Sequence, residues 1–83
     1  MPEQNEIFER TANVIAETLK IERARITRES RFVEDLNADS LDLVEAVLAL
    51  EEEWNIEIPE DEMESEKTVG QAVELVATKL GLS

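Results

Sequence analysis

Ser40 is the residue of this sequence best placed for chemistry, because it directly follows Asp39 at the start of a predicted helix. The N-terminus of a helix has unpaired backbone N–H groups and a positive dipole end, so it favours a phosphate ester on a serine there. The chain contains no His and no Cys. It therefore has neither a Ser-His-Asp triad nor a thiolate nucleophile nor a cysteine metal site, which argues against an enzyme.

The composition predicts one small acidic domain. Its 83 residues are 42% hydrophobic, which suits a single domain spanning 1–83. With 8 bases and 21 acids the net charge is −13, so nucleic acid and anionic membrane surfaces repel the chain. No apolar run approaches the roughly 20 residues needed to cross a bilayer. We expect a cytoplasmic monomer with no nucleic-acid partner and no membrane insertion.

The negative charge is concentrated in residues 32–66, which hold 14 acids and no Lys or Arg. The rest of the chain has 7 acids and 8 bases, a net charge of +1. Acidic runs are usually solvated faces or disordered tails. This one also holds many large apolar residues, Leu50 and Trp54 among them. The segment is therefore expected to fold.

Apolar spacing predicts the first helix and the loop after it. Phe8, Ala12, Ile15 and Leu19 recur at i, i+4, i+7 and i+11, which indicates an amphipathic helix from about residue 5, with Asn5 as its N-cap, to about residue 20. Residues 22–31 hold four of the five arginines and one apolar anchor, Ile26. We interpret this segment as a long surface loop.

The second helix is predicted from its capping signal. Asp39 or Ser40 can serve as the N-cap, and Asp42 can complete a capping box with Asp39. The same apolar spacing continues to Trp54, and Asn55 follows as a terminator.

A third long helix is predicted to open with the capping box Thr68-x-x-Gln71 and to end before Gly81. Residues 60–64 form at most one helical turn. The predicted fold is all-α, a small three- to four-helix bundle with a long loop between helices 1 and 2.

The second helix has two apolar stripes on a projection of about 100° per residue. The core stripe comprises Leu43, Ala46, Val47, Leu50 and Trp54, and the second stripe comprises Leu41, Val44 and Leu48. One interpretation is a wide core face packed under residues 22–38. The other is a docking surface, in which apolar contact is combined with steering by an acidic rim.

The sequence resembles the acyl carrier proteins. The segment DLNADSLD at residues 35–42 is similar to their attachment motif, and FVEDL at 32–36 precedes it. VEAVLALEEEW at 44–54 and IEIP at 56–59 resemble their second helix and the loop that follows it, and KTV at 67–69 also fits.

The resemblance implies that Ser40 carries a 4′-phosphopantetheine arm, which a phosphopantetheinyl transferase moves there from coenzyme A. Acyl chains would ride on the arm's thiol between the enzymes of fatty-acid synthesis, and they can fold back between the helices. By the same resemblance, one set of residues faces basic patches on these acyl-transfer and synthesis enzymes. These residues are Asp39, Leu41, Asp42, Val44, Glu45, Leu48, Glu51, Glu52 and Ile58.

Two residues depart from the family pattern, since Asn37 and Lys20 stand where glycine is usual. Asn tolerates a positive φ better than most residues, so we expect the turn before Ser40 to form. The end of the first helix is less closely fixed by the resemblance.

Three alternatives remain open. Asp35-x-Asn37-x-Asp39 copies the first ligands of a calcium-binding EF-hand loop, although the sixth and twelfth positions lack the Gly and Glu that such a loop needs. A second alternative is an acidic interaction protein in which Ser40 is only a helix cap. The third is a carrier for polyketide synthesis or another specialised acyl transfer.

Overall fold

The computed structural model describes residues 4–59, 61–62 and 66–81, and within these it contains three long helices. They are α1 (Gln4–Leu19), α2 (Ser40–Trp54) and α3 (Val69–Lys79). Asp61 and Glu62 are also helical, and the rest of the predicted turn at 60–64 lies outside the described residues. The only β pairing in the described chain is one isolated bridge between Arg31 and Thr68. The all-α prediction is confirmed.

Helix α1 matches its predicted span to within one residue, but its predicted cap is wrong. Asn5 lies inside the helix, which already includes Gln4, whereas an N-cap residue must have non-helical backbone angles. The helix ends because Lys20 adopts a left-handed conformation with φ 58°. The Ile21 N–H then donates to the Ala16 carbonyl at 3.1 Å and closes the reversal.

The core lies where α1 packs against both α2 and α3. Of the predicted α1 stripe, Ala12 and Ile15 are buried, whereas Phe8 and Leu19 are half-buried at its edge. The centre of the buried face is displaced because α1 contacts two helices at once. The fully buried side chains of α1 and α3 are Ile7, Thr11, Ala12, Ile15, Val69, Val73, Val76 and Ala77.

Three arginine–aromatic contacts hold the surroundings of α1 in place. The Arg10 guanidinium lies 4.1 Å from the centroid of the buried Trp54 ring and forms a 2.6 Å ion pair with Glu53, which joins α1 to the end of α2. Phe8 is contacted by the guanidinium groups of both Arg23 and Arg28, at 5.0 and 4.8 Å. These contacts pin the long loop to α1.

The loop between α1 and α2 follows the prediction for residues 22–31 and adds one detail. Ile26 is buried as its apolar anchor, and Arg23–Arg25 form a single 3-10 turn. The end of the loop is fastened to the start of α3. The Gly70 N–H donates to the Arg28 carbonyl at 2.9 Å, and the Val69 N–H donates to the Ser30 carbonyl at 3.0 Å.

Candidate functional site

The segment before Ser40 is a compact turn built by backbone hydrogen bonds. The Ala38 N–H donates to the Phe32 carbonyl at 2.9 Å, and the Phe32 N–H donates to the Lys67 carbonyl at 3.1 Å. Asn37 has φ 56°, which confirms that asparagine supports the positive-φ turn at this position. The approach to Ser40 is thus fixed to the start of α3.

Asp35 stabilises the same turn. Its Oδ2 accepts a 2.8 Å hydrogen bond from the Arg31 N–H and a 3.3 Å hydrogen bond from the Arg31 Nε. The Arg31 backbone N–H first, and the Arg31 side chain second, hold the pKa of Asp35 below its ordinary value of 3.8. The carboxylate is therefore charged at neutral pH and occupied within the turn.

Asp39 is the N-cap of α2, and Ser40 is the first helical residue. The Asp39 Oδ1 accepts from the Asp42 N–H at 2.8 Å, and the Asp42 Oδ2 accepts from the Asp39 N–H at 3.1 Å. Ser40 is exposed, and its hydroxyl makes no hydrogen bond to any residue that the structure describes. The alternative in which Ser40 is only a helix cap is therefore wrong, because Asp39 performs that function.

The second stripe of α2 is exposed. Leu41, Val44 and Leu48 have exposed fractions of 65%, 48% and 56%. In the core stripe Ala46, Leu50 and Trp54 are buried, and Leu43 and Val47 are half-buried against them. The interpretation of the second stripe as a wide core face packed under the loop is therefore wrong.

The acids around the second stripe are of two kinds. Asp39 and Asp42 bond to each other's backbone, and the Glu51 Oε2 accepts from the Ile58 N–H at 2.8 Å. Glu45 and Glu52 are exposed and have no hydrogen bond or ion pair to other described residues. Two of the predicted partner-facing carboxylates are therefore fully available to an incoming cation.

Ile58 does not occupy the position expected from the resemblance. Its side chain is 5% exposed and belongs to the hydrophobic core. The physical reason is the bond from its N–H to Glu51, which draws the chain after α2 back onto the bundle. As placed here, the Ile58 side chain cannot face a partner.

The EF-hand arrangement is not present. Asp35 bonds to Arg31, and Asp39 uses a carboxylate oxygen to cap α2. Across the described ranges no three acidic side chains converge as metal ligands would. The acids that copy the calcium motif instead support the turn and the helix cap.

One exposed apolar residue near the site escaped the sequence analysis. Val33 is 55% exposed and lies in the turn that carries the chain to Ser40. The sequence shows two adjacent apolar residues, Phe32 and Val33, and only the structure shows that the first is buried and the second exposed. A surface cleft of about 500 Å³ also runs along α1, lined in part by Arg10, Glu17 and Arg23, but no predicted site residue lines it.

Comparisons with known proteins identify the family. The family described as "Phosphopantetheine attachment site" matches residues 9–76. An acyl carrier protein of Picosynechococcus sp. is 47% identical over 76 residues, covering 92% of this chain and 94% of that protein. An acyl carrier protein of Guillardia theta is 43% identical over 77 residues, covering 93% and 95%.

None of the helices in the described ranges combines the length and apolar content needed to span a membrane. The family match covers most of the chain, and both relatives match it over nearly their full length. The chain therefore belongs to the phosphopantetheine-attachment family as an acyl carrier protein, which carries its cargo for enzymes and is not itself a catalyst.

Proposed function

We propose that Ser40 is the attachment residue and that this chain carries acyl groups through fatty-acid synthesis. The observation that carries the proposal is the exposed Ser40 hydroxyl, which Asp39 frees from any capping role. In the transfer step, the Ser40 Oγ forms a bond to the phosphorus of the phosphopantetheine in coenzyme A. The pyrophosphate bond breaks, the hydroxyl proton passes to the transferase, and adenosine 3′,5′-bisphosphate leaves.

The residues around Ser40 fit this group. The Ser40 and Leu41 N–H groups have no acceptor among the described residues, and unpaired N–H groups at a helix start bind phosphate oxygens well. The chain has no Cys, so the arm supplies the thiol that holds the acyl chain as a thioester. The turn and α2 hold the serine at the surface, where a transferase can reach it.

The partner surface is the second stripe together with the acids around it, chiefly Glu45 and Glu52. Its partners are the phosphopantetheinyl transferase and fatty-acid synthesis enzymes with basic patches. The last turn of α2 contains three acids, Glu51, Glu52 and Glu53, and no basic residue. Acids at the negative end of a helix oppose its dipole. Glu51 bonds to the Ile58 N–H and Glu53 to Arg10, whereas Glu52 has no partner among the described residues, which favours a docking role for Glu52.

Monomeric behaviour and a cytoplasmic location remain predictions. A net charge of −13 makes copies of the chain repel one another, which supports the monomer. Sedimentation at physiological salt tests this: a single 9.4 kDa species is expected, and a dimer would contradict it.

The attachment proposal is tested by intact mass. After reaction with coenzyme A and a broad-specificity phosphopantetheinyl transferase, we expect the wild-type mass to rise by one phosphopantetheine. Ser40→Ala should show no increase, with unchanged helix content by circular dichroism. A folded wild-type chain whose mass stays the same would contradict the proposal.

Docking is tested by charge reversal at two exposed helix acids. We expect Glu45→Lys to raise the KM of the transferase several-fold and to flatten its dependence on salt, since exposed charges are screened beyond about 8 Å at physiological ionic strength. Glu74→Lys on α3 changes net charge equally and should have little effect. Equal effects of the two substitutions would contradict a specific docking surface.

The apolar part of the surface is tested by a matched pair of leucines on α2. Leu48→Ala should weaken docking but leave the free energy of unfolding within about 0.5 kcal/mol. Leu50→Ala removes a fully buried side chain and should cost about 2–5 kcal/mol. Similar losses of stability at both positions would place the second stripe in the core.

A further inference from the structure

The exposed apolar side chains of the described chain are gathered around Ser40. The large ones are Val33, Leu41, Val44 and Leu48, with exposed fractions between 48% and 65%. Three of them form the second stripe of α2, and the fourth, Val33, belongs to the turn before Ser40. In the described parts of α1, the long loop and α3, no large apolar side chain is as exposed. Single exposed apolar residues are ordinary on protein surfaces, but a group of them marks a contact site.

Val33 lies close to Ser40 because a backbone hydrogen bond closes the turn. The Phe32 carbonyl, which shares a peptide unit with the Val33 N–H, accepts from the Ala38 N–H at 2.9 Å. Ser40 is two residues further along the chain. With standard bond lengths and about 3.6 Å per residue as the limit, the α-carbons of Val33 and Ser40 are at most about 15 Å apart. A standard interface covers about 800 Å² of each partner, a patch with a radius of about 16 Å. An enzyme centred on the Ser40 hydroxyl therefore reaches Val33.

The backbone of the turn presents Val33 outward. The Asp35 N–H donates to the Arg31 carbonyl at 2.9 Å and closes the chain around Val33. The buried apolar side chains of the turn, which fill the core, are Phe32, Leu36 and Ala38. Val33 is 55% exposed between them. Its exposure therefore follows from the path of the chain.

The surface around Val33 is electrically balanced, unlike the rim of the second stripe. The Arg31 guanidinium forms ion pairs with both Glu34 and Asp35, at 3.4 and 3.3 Å. The Arg25 guanidinium donates to the Asp35 carbonyl at 3.3 Å. Two bases thus offset the two acids beside Val33. A contact made there gains from apolar burial and not from electrostatic steering.

We propose that Val33 is a contact residue for the phosphopantetheinyl transferase, whose apolar side chains pack on it as they pack on the second stripe. The proposal rests on the function given above, in which that enzyme approaches Ser40, and it continues the partner surface from α2 across the serine onto the turn. Contacts on both sides of the serine resist rotation of the carrier about α2, which a stripe along one helix does not. A second copy of the chain is a weaker occupant, because two chains of charge −13 repel each other.

The test compares the steady-state kinetics of transfer from coenzyme A to the full chain. Val33→Asp places a carboxylate where an apolar contact is expected, and the cost of desolvating it should lower kcat/KM about tenfold. Asn13→Asp adds the same charge at an exposed position of α1 and should leave kcat/KM within about twofold of wild type. Equal values for the two variants would overturn the proposal.

A conservative variant separates an apolar contact from steering. Val33→Thr keeps the size and branching of the side chain, so the turn should fold, which circular dichroism checks. It should lower kcat/KM about threefold. The salt dependence should stay that of wild type, whereas Glu45→Lys is expected to flatten it. A folded Val33→Thr variant with the wild-type kcat/KM, or with a flattened salt dependence, would contradict an apolar contact.

Methyl NMR on the wild-type chain tests the contact without any substitution. On saturation with the transferase in the absence of coenzyme A, the Val33 and Leu48 methyl signals should both shift. The methyl signal of Thr78, exposed on α3, should not. A Leu48 response without a Val33 response would overturn the proposal. So would a Val33 shift produced by raising the carrier concentration alone, because it would assign this surface to a second copy.

The failure of this proposal can be distinguished from that of the proposed function. If coenzyme A and the transferase do not modify the wild-type chain, the carrier function fails. If the chain is modified but Val33→Asp and Val33→Thr are modified as efficiently as wild type, only the contact at Val33 fails.

Discussion

The starts of α2 and α3 carry the same local signal but have opposite surroundings. Each begins with a reciprocal capping box, Asp39 with Asp42 and Thr68 with Gln71. At α3 the first helical residue, Val69, is fully buried. The N–H groups of Val69 and Gly70 donate to carbonyls of the long loop. At α2 the corresponding residues are exposed and their N–H groups have no described acceptor.

This difference separates a structural helix start from a functional one. The loop residues Arg28 and Ser30 cover the start of α3, and the bond from Phe32 N–H to Lys67 fastens the loop there. The Phe32 carbonyl in turn accepts from Ala38, two residues before Ser40. The start of α3 therefore holds the loop that positions the exposed start of α2.

The largest difference in stability loss between matched substitutions in α2 and α3 is expected at the first helical position. Val69→Ala should lower the free energy of unfolding by about 2 kcal/mol, because it removes two methyl groups from a fully buried site. Ser40→Ala should change it by less than about 0.5 kcal/mol. Urea unfolding of both variants measures this, and a loss at Ser40 equal to that at Val69 would contradict the comparison.

A smaller difference is expected at the second helical position. A Cβ on Gly70 would lie 2.9 Å from the Arg28 carbonyl oxygen, so Gly70→Ala must push the loop away. The gain in helix propensity of about 1 kcal/mol offsets part of this cost, which leaves a net loss of about 1 kcal/mol. Leu41→Ala at the equivalent position of α2 should change stability little, since Leu41 is largely exposed. A Gly70→Ala variant more stable than wild type would show that the loop does not need to approach α3 closely at Arg28.

The smallest effect is expected at Asp35, in the turn between the two helix starts. Because Arg31 lowers its pKa below 3.8, the Asp35 charge stabilises the folded chain above that pH, and the contribution is lost as pH falls through the lower folded value. Urea unfolding at a series of pH values should therefore show that the difference in unfolding free energy between wild type and Asp35→Asn shrinks below pH 3.8. A constant difference would exclude the charge as its cause.

The features predicted correctly from sequence depend on short-range spacing. The capping boxes at Asp39 and Thr68 need only residues three positions apart, and the terminators Asn55 and Gly81 act through their own φ angles. The second stripe was also visible as a spacing pattern. The sequence does not predict that this stripe is exposed, because the same spacing is found whether a loop or a partner covers it.

The features that sequence missed depend on contacts between distant segments. Burial of Ile58 follows from a side-chain bond seven residues back along the chain, to Glu51, and no periodic pattern encodes it. The requirement for Gly70 comes from Arg28, and the displacement of the α1 core face towards Ile7 and Thr11 comes from contact with two helices. In each case the tertiary arrangement decides what the local pattern leaves open.

The contact between Arg10 and Trp54 gives the protein a built-in optical probe. The chain has one Trp and no Tyr, so its emission on ultraviolet excitation comes almost wholly from a single ring at the junction of α1 and α2. Trp54 lies in the core stripe at the far end of α2 from Ser40. Separation of the two helices can therefore be followed without any label, while modification of the serine is followed independently by mass.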